Sequence, residues 1–303
     1  IVNKPVPSTS FASSTVTAIY GDSITNAFTT DSNGTKTFAS SNTSSATINS
    51  GNGTVVIVAV GNTTMSVNLA ETNEYSSAND NYTLTTNPKT LTATASSSNK
   101  VYDSNTTAST TLTLSGLIGT ETLGQTVGST FDNKNVGSNK TVTVNSITLA
   151  DGSNGGLAAN YSISAGQTTT ANITAKSLTV SGVSASNKTY DGTTTALMDG
   201  TSAVYSGLVG GDTFDGTYTG AFSDKNVGTG KTVTITSSYT GADVSNYSVT
   251  DQSSTTANIT AKALTATASA SNKTYDGSSA ATTNNNPCRR RVRKHLRAIQ
   301  PSS

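Results

Sequence analysis

The sequence predicts an all-β protein, a tandem array of small β-sandwich units, and three observations carry that reading. The first is recurrence. Ser98-Asn99-Lys100-Val101-Tyr102-Asp103 returns as Ser186-Asn187-Lys188-Thr189-Tyr190-Asp191-Gly192, and again as Ser271-Asn272-Lys273-Thr274-Tyr275-Asp276-Gly277. The tyrosines are 88 and then 85 positions apart, which marks a small domain repeated rather than a loop motif met by chance. The second is composition. Charged residues are 12% of the 303 and hydrophobic residues 33%, while Thr and Val, which favour extended backbone, are plentiful. So little charge does not describe a chain held open by self-repulsion. The third is the rhythm of short alternating runs punctuated by Gly, Asn and Asp turns.

Residues 1–87 form the first expected unit. Thr15-Val16-Thr17-Ala18-Ile19-Tyr20 alternates polar with apolar, and Gly21-Asp22 signals a turn. Lys36–Ser40 and Ala46–Ile48 read as further strands. Thr54–Val60, the most apolar run, predicts a central strand buried on both faces, with Thr64–Leu69 as its hairpin partner. Tyr82-Thr83-Leu84 closes the unit. The series Ile19-Tyr20-Gly21-Asp22, Phe38-Ala39-Ser40-Ser41-Asn42, Ala46-Thr47-Ile48 and Val56-Ile57-Val58-Ala59-Val60-Gly61 resembles the bacterial immunoglobulin-like domains of surface proteins and the related MBG type. That resemblance implies an immunoglobulin-like sandwich in an extracellular chain. It brings no catalytic residues.

Residues 88–174 and 175–260 share four landmarks in the same order. A first strand (Leu91–Ala95, Leu178–Val183) leads to the Tyr-Asp element. Phe131-Asp132-Asn133-Lys134-Asn135-Val136-Gly137 is matched by Phe222-Ser223-Asp224-Lys225-Asn226-Val227-Gly228. The alternations Lys140–Val144 and Lys231–Ile235 put Val142 and Val144, or Val233 and Ile235, on one face. Each copy ends on Asn160-Tyr161-Ser162 or Asn246-Tyr247-Ser248 and then Ala171–Thr174 or Ala257–Thr260. These copies resemble the YDG domain found in tandem in large bacterial exoproteins, including filamentous-haemagglutinin-like adhesins.

The signature residues Tyr102, Asp103, Tyr190, Asp191, Gly192, Tyr275, Asp276 and Gly277 read as structural. Each Tyr is expected to lay its ring on the core edge and send its hydroxyl to backbone, while Asp-Gly makes a turn. Ser104 stands where the other copies have Gly, which argues against a positive φ being required there. Gly137 and Gly228 are expected to form turns. The joints Ile173–Thr179 and Ile259–Thr265 lack Gly and Pro, so the last strand of one unit should run straight into the next and give a semi-rigid rod.

A third copy starts over residues 261–283. Residues 284–303 share nothing with the rest and are expected to be a disordered, basic tail that reads as a frameshift or assembly scar. All five Arg, Cys288 and His295 lie there, giving that piece a net charge of +6 against −5 for residues 1–283. The near-neutral total therefore says nothing of a basic, nucleic-acid-binding body. No run approaches the roughly 20 apolar residues that cross a bilayer, and Ile1 opens no signal peptide, so an exported protein would hold this chain as an internal piece.

The chemistry of sites finds little to work on. One His and one Cys build no triad, and no phosphate loop or cofactor motif is present. Asp212-Thr213-Phe214-Asp215-Gly216 has two carboxylates but too few ligands for a calcium loop, and Thr120-Glu121-Thr122 does not repeat its spacing. Both read as turns, and no catalytic, cofactor or metal residue is expected. Asn-x-Ser/Thr sequons recur at Asn81, Asn160, Asn172, Asn187, Asn246, Asn258 and Asn272, which a chain so rich in these residues produces freely. The expectation is a non-enzymatic stalk of a secreted bacterial surface adhesin, with an outer-membrane secretion partner. Host ligands would be bound by other parts of the protein. The alternative is a repeat-borne carbohydrate or protein-binding module, in which Tyr205, Tyr218 and Tyr239 would form an exposed cluster. The first copy has Leu112, Thr126-Val127 and Ser146-Ile147 in those regions, which counts against a shared ligand site.

Overall fold

A computed structural model describes residues 3–265 and 269–280, so the tail at 284–303 lies outside the described residues. Those residues are almost entirely β-strand and connecting turn, with two single-turn 3₁₀ segments and no α-helix among them. None of their helices is long and apolar enough to cross a membrane. The chain divides into two compact units. The first gathers Ile1–Ser181, Val204–Gly216 and Ser238–Asp251; the second gathers Gly182–Ala203, Thr217–Ser237 and the described residues from Gln252 on. The cut falls inside the 175–260 repeat.

Within the first unit, residues 1–87 build a four-stranded sheet in the order Thr15–Ile19, Ala78–Asn87, Gly61–Leu69, Lys36–Ser40. The first pair is parallel and the others antiparallel. Its inner face carries Ala18, Phe38, Met65, Val67, Tyr82 and Leu84 against Phe11, Ala46 and Val55 from two short ladders, which makes a sandwich core. Burying these side chains is the driving force, worth about 2 kcal/mol for each large one.

The expected central strand at 54–60 is not there. Only Val55–Ile57 is extended, paired with Ala46–Ile48, and Val56 and Val58 are 58% and 43% exposed. The Ser45 carbonyl accepts the N–H groups of both Val58 and Ala59, which bends the chain out of that ladder. The central place belongs to Gly61–Leu69, whose Thr63, Met65, Val67 and Leu69 all point inward with the period of a pleat. Its hairpin partner is Ala78–Asn87, not the apolar run.

Residues 88–174 form a four-stranded sheet ordered Lys100–Val101, Thr168–Thr174, Gly137–Asp151, Leu123–Phe131. The ladders Thr92–Ser97 with Thr110–Ser115, and Lys89–Thr90 with Tyr161–Ser162, accompany it. Val142 and Val144 are buried on one face, as their alternation requires. The strand Thr168–Thr174 is separated from Lys176–Ser181 by Ala175 alone. Lys176–Ser181 joins Val204–Ser206 and, in parallel, Tyr247–Thr250. Tyr205 and Tyr239 do not form an exposed cluster. Both are half-buried against the Phe214 ring, at 5.1 and 5.0 Å, while Tyr218 lies in the other unit over Gly200.

The second unit holds a five-stranded ladder ordered Lys188–Thr189, Ser254–Thr260, Gly228–Thr240, Asp215–Phe222, Thr195–Ala196. Its core is Ala196, Phe222, Val233, Ala257 and Ile259, with Tyr190 and Met198 partly buried against it. Gly137 and Gly228 are not the turn formers. They open strands, opposite Ile173 and Ile259, and the register slips between them and Lys140 or Lys231. The left-handed backbone that makes the slip belongs to Asn139 (φ 52°) and Gly230 (φ 58°).

Candidate functional site

The signature first fastens its own turn. The Lys100 ammonium reaches the Asp103 carboxylate at 2.7 Å and donates to the carbonyls of Asn105 and Thr107. Lys188 repeats this with Asp191 (2.9 Å), Thr193 and Thr195, and Lys273 with Asp276 (2.7 Å). Hydrogen bonds from the Thr193 backbone and then Lys188 pull the Asp191 pKa down to about 2. The next residue is left-handed in all three copies: Ser104 at φ 65°, Gly192 at 86° and Gly277 at 79°. The position therefore does demand positive φ, against the expectation drawn from Ser104.

What the tyrosine does appears where one repeat meets the next. Tyr102 is 1% exposed, and its hydroxyl does not go to backbone. It donates to Asp212 Oδ2 at 2.9 Å, and Tyr247 donates to the same oxygen at 2.6 Å. The two rings stand edge to face, 5.6 Å apart. The Tyr247 hydroxyl in turn accepts the Val209 N–H, and Asn246 Oδ1 accepts the N–H of Val136. Ser104 Oγ donates to the other oxygen of Asp212 at 2.9 Å, and the Lys134 ammonium lies 3.3 Å from it and 2.9 Å from Asp243.

The same device joins residues 1–87 to residues 88–174. Tyr20 and Tyr161 donate to the two oxygens of Glu121 at 2.6 and 2.5 Å, with their rings edge to face at 5.4 Å. The Tyr161 hydroxyl accepts the Ile118 N–H, and Asn160 Oδ1 accepts that of Val60. Gly21, at φ 92°, packs so close to Ile118 that a Cβ there would meet it at 2.5 Å. Each joint thus clamps one carboxylate from a loop of the following unit between a tyrosine of each unit. An asparagine closes the seam; Leu91 is buried against Tyr20 and Tyr161 at the first joint, and its counterpart Leu178 is wholly buried.

Electrostatics follow the geometry. Burial, then Glu121, pushes Tyr20 up to about 12; burial, then Asp212, does the same to Tyr247. Burial opposes ionisation of Asp212, but bonds from Tyr247, Tyr102, Ser104 and Lys134 outweigh it and hold its pKa low. Asp243 is held low chiefly by Lys134, whose own pKa rises. Among the described residues joint one has no counterpart of that lysine, and none of Asn135, which takes the Asn246 amide at 3.3 Å. The Asn160 amide nitrogen is accordingly buried without a partner among the described residues.

Sequence reasoning missed Glu121 and Asp212, reading both as incidental turns because their spacings differ. The signal was present: one acid in the loop before Leu123–Phe131 or Asp215–Phe222, in each copy. Asn160 and Asn246 were noted only as sequons, yet they are 1% and 0% exposed. Tyr190 is half-buried and Tyr275 is 94% exposed, so neither is clamped. Among the described residues no cluster of His, Cys, Asp and Glu could hold a metal.

No curated protein matches the chain. Among solved structures, Drosophila N-cadherin EC1-4 aligns with 9% identity over 87% of this chain and 76% of its own, at a TM-score of 0.28. Domains 4-9 of the surface layer protein SbsC align with 13% identity over 81% of this chain and 47% of theirs, at 0.21. The YDG domain matches residues 87–171 and 174–257, more than half of the sequence, and these are the two copies that share the clamp. The chain belongs to the YDG-domain family.

Proposed function

We propose that this chain is a non-enzymatic spacer segment of a secreted bacterial surface adhesin, in which units of MBG and YDG type hold a binding region, located elsewhere, away from the cell. The observation that supports this reading is the joint: the same Tyr–carboxylate–Tyr clamp with its asparagine occurs twice, between unlike pairs of units. Residues buried at a seam serve the connection, not a ligand. The tyrosines that a shared binding face would need are instead half-buried against Phe214 or over Gly200.

The test is to present the full chain to an array of glycans and extracellular-matrix proteins. Alongside it, ¹⁵N relaxation compares residues 1–87 with residues 88–174. A spacer gives no saturable binding, the two segments tumble with one correlation time, and Glu121→Gln separates their correlation times. Saturable binding by the chain itself would overturn the spacer reading in favour of a repeat-borne binding module.

A further inference from the structure

The 175–260 repeat carries the same socket that the 88–174 repeat fills, and in it the socket is open. Tyr190 stands in the place of Tyr102, Lys225 of Lys134, Val227 of Val136 and Gly192 of Ser104. Tyr102 is buried, Lys134 and Val136 are partly covered, and all three have partners across the joint. Their counterparts differ on every count. Tyr190 is half-buried on its own core, and Lys225 and Val227 are exposed, Val227 by 54%. Among the described residues the Tyr190 hydroxyl and the Lys225 ammonium have no hydrogen-bond or ion-pair partner.

We infer that Tyr190, Lys225 and Val227 form a docking face for one complete further unit of the same kind. That partner is identified by its chemistry. It must offer a loop carboxylate to be shared by Tyr190 and Lys225, and a buried Asn-Tyr pair whose asparagine takes the Val227 N–H and whose tyrosine donates to that carboxylate. Charge complementarity fixes the carboxylate: in the filled joint this lysine faces two aspartates. Continuity fixes the unit. Leu264 follows Ala261-Lys262 as Leu178 follows Ala175-Lys176, and it is 80% exposed where Leu178 is wholly buried. The residues that would open the following repeat are present through Thr265, but the elements that would cover this leucine and the socket are not among the described residues. Gly192 lacks the hydroxyl by which Ser104 holds its carboxylate, so this joint leans more on Lys225.

This inference rests on the spacer reading, and its test reads the joint alone, so a ligand found on the array would leave it standing. The full chain through Thr283 is continued with a second copy of residues 199–260, which completes a third unit in register. Acylation of the Lys225 amine is followed by mass spectrometry against the natural chain. A docked unit should slow Lys225 at least tenfold, and Asp212→Asn in the appended copy alone should restore most of the rate. A second design inserts a whole additional copy of residues 175–260 after Thr260, in case the first continuation does not fold. A protease-resistant added unit that leaves Lys225 as reactive as before would overturn the inference. So would an added unit that stays protease-sensitive in both designs, since the socket is what its opening leucine and its Asn-Tyr pair should fold onto.

Discussion

Ser104 shows how one residue can look like an exception and be an adaptation. At φ 65° a side chain costs about 1–2 kcal/mol relative to glycine. Its hydroxyl recovers that cost by bonding an Asp212 carboxylate that is 1% exposed, an interaction of the charge-assisted kind worth about 1.5–3 kcal/mol. Ser104→Ala keeps the strain and loses the bond, so it should destabilise by about 2 kcal/mol in urea unfolding. Ser104→Gly loses the bond but relieves the strain and should cost about 1 kcal/mol less. In the other direction, Gly192→Ser should cost about 1 kcal/mol, because no carboxylate meets it. Equal effects of Ser104→Ala and Ser104→Gly would mean that the backbone there is not strained. The sequence held half of this. The repeated Tyr-Asp turn was legible, since its residues are contiguous. Its purpose was not, because Asp212 lies 110 positions from Tyr102 and folding alone brings them together.

At the scale of strands, legibility followed the pleat. Strict alternation located Val142 and Val144, both at most 1% exposed, because a strand with one buried face writes its period into the sequence. Unbroken apolarity misled at 54–60, where a two-stranded ladder leaves Val56 in solvent and six hydrophobic residues in a row carry no information about facing. Val142→Ala should therefore cost about 2 kcal/mol through the cavity it leaves. Val56→Ala should stay within about 0.5 kcal/mol despite the more hydrophobic neighbourhood. Chemical denaturation of the two variants side by side checks the pair, and comparable losses would contradict the strand assignment. The joints between strands were half legible too. The absence of Gly and Pro announced a short connection, and the single residue Ala175 between Thr174 and Lys176 agrees with it.

Across the whole molecule, two clamps made of phenols and carboxylates define a window of pH. Asp212 and Asp243 titrate below the ordinary carboxylate value in the folded state, so their contribution is full above about pH 4 and falls away as acid protonates them. Tyr20 and Tyr247, raised to about 12, contribute fully below about pH 10, and that contribution is lost as pH climbs through 12. The Val60 and Val136 amide resonances should therefore hold steady between these limits. Both should move above pH 10, and Val136 should also move below pH 4. A Val136 resonance that stays unmoved by acid all the way down to the onset of unfolding would show that the carboxylate does not hold the second seam.

The buried asparagines impose an order of events. Asn160 and Asn246 each sit in a sequon, and each gives its side-chain oxygen to the neighbouring unit's backbone at 2.9 Å. A transferase needs that same side chain free and in solvent. Once a seam has closed, these two sites are beyond its reach, whereas Asn81 stays exposed in the finished fold. A sugar placed on Asn160 or Asn246 must arrive on the unfolded chain, and it would then occupy the space where the next unit has to seat. For this protein, assembly and modification at those two positions are competing fates of one side chain, settled by whichever comes first.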